Sequence, residues 1–499
     1  MHLFRVTLFA IVTPCALLAD RPFDGAFLRL YKDASLDGQT HIQGALTDRD
    51  GLRLRLDAIT LTGDLSNLTS DLALPARSGD GYAFRWWSSD AEHLTSTGKV
   101  TRPRSSLGPA TVLLKVFARK GDTEIDRSFT ITIPEETASA PSTPKPALAP
   151  VTLAADLVPL VESHWTTAYS PISTPRQSFD FTVSVAPGES IQAAIDLVGK
   201  RGGGIVALAS GIHPLTSPLT LCDRLTLVGA GRDYTVIRKT ADFPGASLRN
   251  PKGALSDVVL KDFTIDGDGR PGNGVEISSG IDDPAKQGGR ILLQNLVVRD
   301  VFDHGVHIKR VSDLLFDRVR INNCGNHSEL HHNSYLLGIN RLLITDSDFS
   351  SPVGGKCLKL TRVVDGILQR TRFADGLLNG IQIDDASRRI ALHDCRFEHL
   401  GRTALWVICE RFGPTATRYT TDPAYAPQQL LVHRCTVTDN TRGAVLKDIR
   451  DVTILESTFR NREHDIITLR SASELKLDAA TRLAKPPLHA QVPEDVPIL

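Results

Sequence analysis

Short apolar segments separated by turns recur along the chain from about Val183 to Leu469. One type of segment begins and ends on an apolar residue, and most of its end points lie about 22 to 33 residues apart, within the range of solenoid repeats. Each repeat must bury its apolar side against its neighbours, which predicts stacked coils. The segments are Leu260–Ile265, Leu293–Val298, Phe316–Ile321, Ile344–Phe349, Leu368–Phe373, Leu392–Phe397, Val432–Val437 and Leu455–Phe459.

A second type of segment is five residues long and alternates in period two. Its second and fourth residues are mainly apolar and should face inward, so the third and fifth should face solvent. Successive coils lie about 4.8 Å apart, and six aligned third positions therefore span roughly 24 Å. The third positions are Glu276, His307, Tyr335, Lys359, Gln382, Trp406 and Val445, and the fifth positions are Ser278, Lys309, Leu337, Thr361, Asp384, Ile408 and Lys447.

The rest of the chain divides into three parts. A short charged start and the apolar stretch Val6–Leu18 predict a signal peptide over residues 1–19, too short to span a membrane. Residues 50–134 read as short strands that alternate in period two. Residues 135–150 are rich in proline and predict an extended linker, and the solenoid is expected over 176–475.

Charge and cysteine content narrow the function. Lys and Arg together number 57, as do Asp and Glu, so there is no basic surplus of the kind that a nucleic-acid-binding protein carries. No later segment is long and apolar enough to span a bilayer. The six cysteines after residue 19 form no CxxC pair, which favours buried thiols over a zinc site. We expect an exported monomer, secreted or periplasmic.

Two stretches resemble known families. The helix-forming segment that begins at Val185, the Gly202-Gly-Gly-Gly strand start and Leu225-Thr-Leu-Val-Gly-Ala-Gly resemble the start of pectate-lyase-like right-handed parallel β-helix proteins. Phe84-Arg-Trp-Trp-Ser-Ser-Asp and the following Thr97-Gly-Lys-Val resemble degenerate bacterial immunoglobulin-like modules, with Trp86 or Trp87 in the core. The resemblances imply an all-β chain, a β-sandwich followed by a β-helix. That fold hosts lyases, hydrolases, epimerases and adhesins.

The outward positions of the second segment type predict a polysaccharide groove. Eliminative cleavage of a uronic-acid polymer needs a cation to neutralise the substrate carboxylate, a base and an acid. Lys359 serves as base if a like charge such as Lys309 lowers its pKa, and Tyr335 or His307 serves as acid, with roles that can be exchanged. Arg310, Arg362 or a calcium ion would neutralise the carboxylate. The predicted substrate contacts are Glu276, Lys309, Arg310, His332, Arg362, Gln382, Asp384 and Trp406.

Three alternatives stay open at this point. A glycoside hydrolase needs two carboxyl groups, and Asp384 and Asp385 are adjacent as in polygalacturonase-like enzymes, although neighbours on a strand point to opposite faces. An epimerase shares the proton abstraction of a lyase, and a noncatalytic polysaccharide-binding protein would bind without turnover. Asp266 and Asp268 are candidate calcium ligands, but a tight turn explains them equally well. The insertion Glu410–Gln429 would favour exo attack if it closed the groove.

Overall fold

The structure is a computed structural model. It describes residues 49–490 apart from 80–81, 91–92, 105–107, 121–122, 137–143, 145–146, 149, 176–179, 252, 280–286, 327, 410–424 and 470–472. The predicted signal peptide, most of the insertion and much of the predicted linker lie outside the described residues.

The N-terminal module contains a helical segment at 49–57 and a three-stranded sheet in the order β1–β2–β3. Trp86 is buried, its indole N–H donates to the carbonyl of Pro75 at 2.8 Å, and its ring lies 6.1 Å from that of Phe129. Trp87, the other candidate, is only half-buried. The strands are Phe84–Ser88 (β1), Ala110–Lys120 (β2) and Thr123–Ile133 (β3).

From Thr182 to Ala490 the chain is a parallel β-solenoid, as predicted, and it has three walls. Each coil contributes one strand to each wall, and every strand pairs in parallel with its equivalents on the coils before and after it. Wall 1 has twelve strands, and walls 2 and 3 have eleven each. Helix α2 (Ile191–Lys200) lies near the first coils, as the sequence predicted, with the side chain of Ser190 accepting the N–H of Ala193 as its N-cap.

Wall 1 comprises Thr182–Val185 (β4), Gly204–Leu208 (β5), Leu225–Val228 (β8), Ser256–Lys261 (β11), Gly288–Gln294 (β14), Val311–Asp317 (β17), Asn340–Thr345 (β20), Val364–Gln369 (β23), Arg388–His393 (β26), Gln428–His433 (β29), Arg450–Leu455 (β32) and Ser473–Leu477 (β35). Wall 2 comprises Gly211–Leu215 (β6), Thr235–Lys239 (β9), Thr264–Asp266 (β12), Val297–Arg299 (β15), Arg320–Asn322 (β18), Asp348–Ser350 (β21), Arg372–Ala374 (β24), Arg396–Glu398 (β27), Thr436–Thr438 (β30), Thr458–Arg460 (β33) and Arg482–Leu483 (β36). Wall 3 comprises Leu219–Thr220 (β7), Leu248–Arg249 (β10), Val275–Ser278 (β13), Val306–Lys309 (β16), Ser334–Leu337 (β19), Leu358–Thr361 (β22), Ile381–Asp384 (β25), Thr403–Ile408 (β28), Arg442–Lys447 (β31), His464–Leu469 (β34) and Leu488–Ala490 (β37).

The first segment type in the sequence is two strands rather than one. Leu260 lies on β11 of wall 1 and Ile265 lies on β12 of wall 2. The chain turns between the two strands at Asp262, which adopts a left-handed conformation with φ of 61°. Such a residue turns the chain between walls 1 and 2, and Asp and Asn tolerate this conformation better than most residues. The equivalent corners also carry long charged residues, among them Arg318 (53°) and Arg370 (47°).

Apolar side chains from all three walls fill the interior. Phenylalanines of wall 2 stack on successive coils, with ring centroids 5.5 Å apart between Phe349 and Phe373 and 5.0 Å between Phe373 and Phe397. Cysteines 324, 357, 395, 409 and 435 are buried free thiols, and Cys222 is a half-buried one. The prediction of unpaired, mostly buried cysteines is therefore confirmed for the described residues.

A segment from about residue 147 to 172, which we name the strap, covers the outer face of wall 1. It contains helix α1 (Leu157–Trp165), whose Leu157, Val161 and Trp165 are buried. The strap is also hydrogen-bonded to wall 1, since the side-chain oxygen of Gln369 accepts the backbone N–H of Ala154 at 3.1 Å. The sequence analysis assigned no structure to residues 151–175, so the strap is an addition to it. Its partners on wall 1 are Val259, Leu292, Leu315, Leu343, Ile367, Ala391 and Leu431.

Candidate functional site

The outward positions of wall 3 line up from coil to coil. Glu276 pairs in register with His307, His307 with Tyr335, and Tyr335 with Lys359. The column continues through Gln382, Trp406 and Val445. The intervening Val306 and Ile308 are buried in the core. The side chains that the sequence assigned to one face therefore form one column, which we call the wall 3 column.

Exposure falls along this column. The side chain of Glu276 is 32% exposed and that of Lys359 is 14% exposed, whereas residue Gln382 is only 2% exposed. Trp406 and Asp384 are buried as well. The expectation that every outward position would face solvent is therefore wrong for these three residues. It is also wrong for four others that are buried, namely Thr361, Ile408, Val445 and Lys447. Among the described residues, the partly exposed half of the column runs from Glu276 to Lys359.

His307 and Tyr335 form the centre of the accessible half. Their rings are stacked, with centroids 5.0 Å apart and an angle of 9° between the planes. Among the described residues, Nε2 of His307 has no hydrogen-bond partner. Burial, followed by the charges of Lys309 and His331, lowers the pKa of His307 to about 3. The imidazole is therefore neutral at physiological pH, and its unpaired Nε2 is buried.

Lys359 lies on the next coil and contacts an acidic side chain beneath the column. Its Nζ is 3.1 Å from Oδ2 of Asp384, and the same oxygen accepts the amide N–H of Gln382 at 2.9 Å. Nζ also lies 5.4 Å from the centroid of the Tyr335 ring. An adjacent carboxylate favours the charged form of an amine, so this contact supports an ammonium rather than a neutral base at Lys359. The buried position of Asp384 explains why it cannot itself reach a ligand.

Three further imidazoles surround the stacked pair. The ring of His304 lies 4.7 Å from that of His307 and 5.7 Å from that of Tyr335, and its pKa is lowered to about 3 by burial and by His307 and His331. The ring of His332 lies 5.9 Å from that of Tyr335. His331 stands at the edge, with Nδ1 3.3 Å from Oδ1 of Asp303. The site predicted from the sequence did not include His304.

His332 differs from its predicted role. The sequence placed it at the edge of the groove as a substrate contact, but it is 2% exposed and packs against His304 and Tyr335. Burial also lowers its pKa well below the ordinary value, so the ring is neutral. His332 therefore supports the other aromatic side chains and does not reach the open face.

Charged side chains extend the site toward the first coils. Nζ of Lys309 lies 3.4 Å from Oε1 of Glu276, whose other oxygen accepts the amide N–H of Asn273 at 2.9 Å. Arg310 and Arg362 occupy left-handed corners at the ends of β16 and β22, with φ of 54° each. Arg362 is exposed and Arg310 half-buried. Both arginines directly follow strands that carry the partly exposed half of the column.

The proposed calcium ligands already have cationic partners. Oδ2 of Asp266 contacts Arg238 at 3.2 Å and Arg299 at 3.5 Å, and Asp268 lies 3.3 Å from Arg270. Oδ1 of Asp266 accepts the N–H of Asp268, which supports the interpretation of this motif as a turn. These contacts do not favour a calcium ion there.

Within the described part of the chain, one group brings three potential metal ligands within 4.8 Å, namely Asp156, His393 and His433. This group lies on wall 1 beside the strap. Arg434 donates to Nε2 of His393 at 2.8 Å and to Asp156 at 2.6 Å, so a guanidinium already occupies the position where a cation would bind. We interpret the group as a hydrogen-bonded cluster.

The family model described as "Atrophied bacterial Ig domain" matches residues 49–136, which confirms the predicted immunoglobulin-like module. No curated protein matches the chain in sequence. In the described part of the chain, no helix has the length and apolar character needed to cross a membrane.

Several solved β-helix structures are similar in fold. The A-module of a mannuronan C-5 epimerase from Azotobacter vinelandii has a TM-score of 0.44 at 16% identity, covering 61% of this chain and 93% of that one. An alginate lyase from Paenibacillus sp. str. FPU-7 has a TM-score of 0.38 at 12% identity, covering 60% and 99%. Tailspike protein 2 from Escherichia coli O157:H7 bacteriophage CAB120 has a TM-score of 0.41 at 13% identity, covering 56% and 40%. At these levels the similarity concerns the fold alone.

Proposed function

We propose that this protein is an exported polysaccharide lyase that cleaves a uronic-acid polymer by β-elimination on the outer face of wall 3. The observation that carries the proposal is the juxtaposition of three groups on consecutive coils. They are a neutral imidazole (His307), a phenol (Tyr335) and an amine beside a buried carboxylate (Lys359). These groups supply the base, the acid and the cation that elimination requires.

Lys359 is assigned to the substrate carboxylate. A proton on the carbon beside a carboxylate becomes more acidic when a nearby cation stabilises the negative charge that develops. The contact of Nζ with Asp384 supports the charged form of Lys359. Arg362 at the neighbouring corner is a second cation for the same purpose. The sequence analysis assigned the base to Lys359 and allowed the roles to be exchanged. Because a charged Lys359 cannot accept a proton, we assign the base to His307 instead.

In the proposed reaction His307 removes the proton from the carbon that bears the carboxylate. The electron pair forms a double bond to the adjacent carbon, and the bond from that carbon to the glycosidic oxygen breaks. The hydroxyl of Tyr335 donates its proton to the departing oxygen. The products are one chain with an unsaturated uronic acid at its new end and one chain with a free hydroxyl. Proton return through solvent restores both side chains.

The carboxylates favour elimination over hydrolysis. A glycoside hydrolase needs two carboxyl groups that both reach the scissile bond. Asp384 is buried and contacts Lys359 and Gln382, while Asp385 occupies a corner with φ of 32°. Glu276 is the accessible carboxylate of the column among the described residues, and it pairs with Lys309. This arrangement lacks a pair suited to that chemistry within the described column.

The test is a panel of uronate polymers incubated with the purified full chain. Ultraviolet absorbance from an unsaturated sugar, together with new reducing ends, is the expected result. Reducing ends without that absorbance would identify a hydrolase, and exchange of the proton next to the carboxylate with solvent deuterium, without cleavage, would identify an epimerase. Binding without any of these signals would contradict catalysis.

Two variants connect the activity to the site. Tyr335→Phe removes the acid and Lys359→Met removes the cation, and both should abolish most of the absorbance signal while the polymer still binds. Lys476→Met is the matched control for a lysine change, because Lys476 lies on wall 1 with a side chain that is 66% exposed. Normal activity of the Tyr335→Phe protein would remove the phenol from the mechanism.

A further inference from the structure

A ladder of hydrogen bonds runs through the residues that precede the strands of wall 3. Five residues occupy equivalent positions on successive coils, namely Asn273, His304, His332, Lys356 and Asn379. From His304 onward, the backbone carbonyl of each accepts a backbone N–H from the preceding coil. The donor is always the residue directly after the equivalent position on that coil. Their side chains form a second set of bonds between the coils. Oδ1 of Asn273 accepts the backbone N–H of His304 at 2.9 Å, and Oδ1 of Asn379 accepts that of Thr403 at 3.1 Å.

The two histidines in this ladder accept through Nδ1. Nδ1 of His304 accepts the backbone N–H of His332 at 3.0 Å, and Nδ1 of His332 accepts that of Lys356 at 3.3 Å. A backbone amide is only a donor, so each Nδ1 must supply a lone pair. A neutral imidazole carries one proton, which must then be on Nε2. The fold thereby selects the tautomer of both rings.

Burial adds to this constraint. His304 is 8% exposed and His332 is 2% exposed, and the pKa of each is lowered first by desolvation and then by nearby cationic or imidazole groups. Protonation would place a second hydrogen on Nδ1, where it would face the amide donor. The backbone contact and the burial therefore oppose the same event, and both rings are confined to one neutral form.

We propose that His304 and His332 are positioning residues, fixed as Nε2–H tautomers, that hold the ring of His307 against Tyr335 and cannot themselves accept the substrate proton through Nδ1. This inference rests on the proposed function for its effect on turnover. Its geometric basis is independent, since His304 lies 4.7 Å from His307 and 5.7 Å from Tyr335 between ring centroids, and His332 lies 5.3 Å from His304. The stacked pair thus rests against two rings whose orientation is set by the backbone.

The ladder supplies its own matched variant. Asn occupies the equivalent position on two other coils and accepts the same backbone amide there. His304→Asn should therefore keep the acceptor and remove only the imidazole, whereas His304→Ala removes both. If the role were structural only, His304→Asn would behave as the wild type. A positioning role predicts a folded His304→Asn protein with a thermal midpoint close to wild type and a kcat lowered by up to about a hundredfold, the loss that misplacement of a reacting group causes. KM should change much less.

The first readout that does not depend on activity is the tautomer itself. Nitrogen-15 NMR of the full chain with labelled histidine should show the imidazoles of His304 and His332 with bare Nδ1 and protonated Nε2. These should not titrate between about pH 5 and pH 8, the range in which an ordinary histidine does. His304→Asn and His332→Asn identify the two signals by their loss. A protonated Nδ1 on either ring, or titration near the ordinary value, would overturn the inference.

The second readout is the titration of His307. Besides His304, the groups that face it are Lys309, His331, the stacked Tyr335 and the in-register Glu276. Replacing His304 by Asn lets water approach, so the titration midpoint of His307 should rise toward the ordinary histidine value. An unchanged midpoint together with unchanged kcat would also overturn the inference. Wild-type protein that turns over no uronate polymer would sink the proposed function instead, and both NMR readouts would still decide the present question.

Discussion

The outer faces of walls 1 and 3 are both built from stacked parallel strands, but their outward side chains differ: those of wall 1 are apolar, and several of those on wall 3 are polar or charged. On wall 1 the in-register outward positions are apolar, as in the run from Val259 through Leu292 and Leu315 to Leu343. The protein covers this column with the strap. On wall 3 the equivalent column begins with an acid, an imidazole, a phenol and an amine, and these side chains stay partly open. In this solenoid one outer face therefore packs against another segment of the same chain, and a different face leaves polar and aromatic side chains partly exposed.

The difference shows how a repetitive fold separates stability from function. The strap buries apolar surface, which stabilises roughly in proportion to the area removed from water. The wall 3 column instead holds a neutral imidazole and an amine next to a carboxylate, the groups to which the proposed function assigns proton transfer and charge neutralisation. Changes on the two faces should therefore have separable effects, and each prediction below tests that separation.

The largest effect is expected on turnover from the centre of the column. His307→Gln should lower kcat by roughly 10²- to 10⁴-fold, the usual contribution of a positioned acid or base. Its unfolding free energy should change little, because Nε2 of the ring makes no hydrogen bond within the described part of the chain. Steady-state kinetics and denaturant unfolding on the same preparation measure both. If the unfolding free energy fell so far that unfolding accounted for the loss of activity, the effects of the two faces on stability and turnover would not be separable.

The next effect is expected on stability from the strap. Leu157→Ala should destabilise the protein by about 2 to 5 kcal/mol, because Leu157 is fully buried against wall 1. The kcat of the folded fraction should be unchanged. Leu330→Ala is a matched control, since Leu330 is exposed and its removal should change the unfolding free energy by less than about 0.5 kcal/mol. A urea titration distinguishes the two outcomes.

A third effect concerns the pH dependence of the unfolding free energy. His304 and His307 have folded-state pKa values of about 3, below the ordinary value of 6.5, so the unfolded chain binds more protons between these limits. Stability should therefore fall as pH drops from 6.5 toward 3, by up to about 1.4 kcal/mol per pH unit for each neutral histidine. His307→Gln should flatten this slope. Unfolding free energies measured across that range would contradict the account if the slope were the same in both proteins.

The smallest effect is expected at the edge of the column. Lys309→Met should change stability by less than about 1 kcal/mol, because its ion pair with Glu276 is solvent-accessible. It should nevertheless raise KM for a uronate polymer, and this increase should shrink at high salt as the charges are screened. An unchanged KM at low salt would show that the substrate does not extend to this coil.

Much of the fold was predictable from local pattern. Period-two alternation predicted the wall 3 register from Glu276 to Val445, because one face of each strand has to be buried. The strap was not predictable, since its apolar residues gain meaning only from the outward apolar positions of wall 1. The division of each Leu260–Ile265 type of segment into two walls was missed too, because the corner is a single left-handed residue such as Asp262.

The sequence predicted which residues lie together in the candidate site, but it did not predict which of them are buried. His307, Tyr335 and Lys359 lie on one column as expected. Alternation cannot report what covers a strand, so the burial of Gln382 and Asp384 had no sequence signal. His304 precedes its strand rather than lying on it, so the strand pattern did not include it. Its backbone contact with His332 depends on the stacking of two coils and is visible only in three dimensions.

The central claim is that the open half of the wall 3 column binds and cleaves a uronate chain. A crystal structure of the Tyr335→Phe protein with a uronate oligosaccharide tests it most directly. The account predicts a sugar carboxylate within ion-pair distance of Nζ of Lys359 and the adjacent ring carbon facing the imidazole of His307. An oligosaccharide bound on another wall, or on wall 3 with its carboxylates directed away from Lys359, would contradict it.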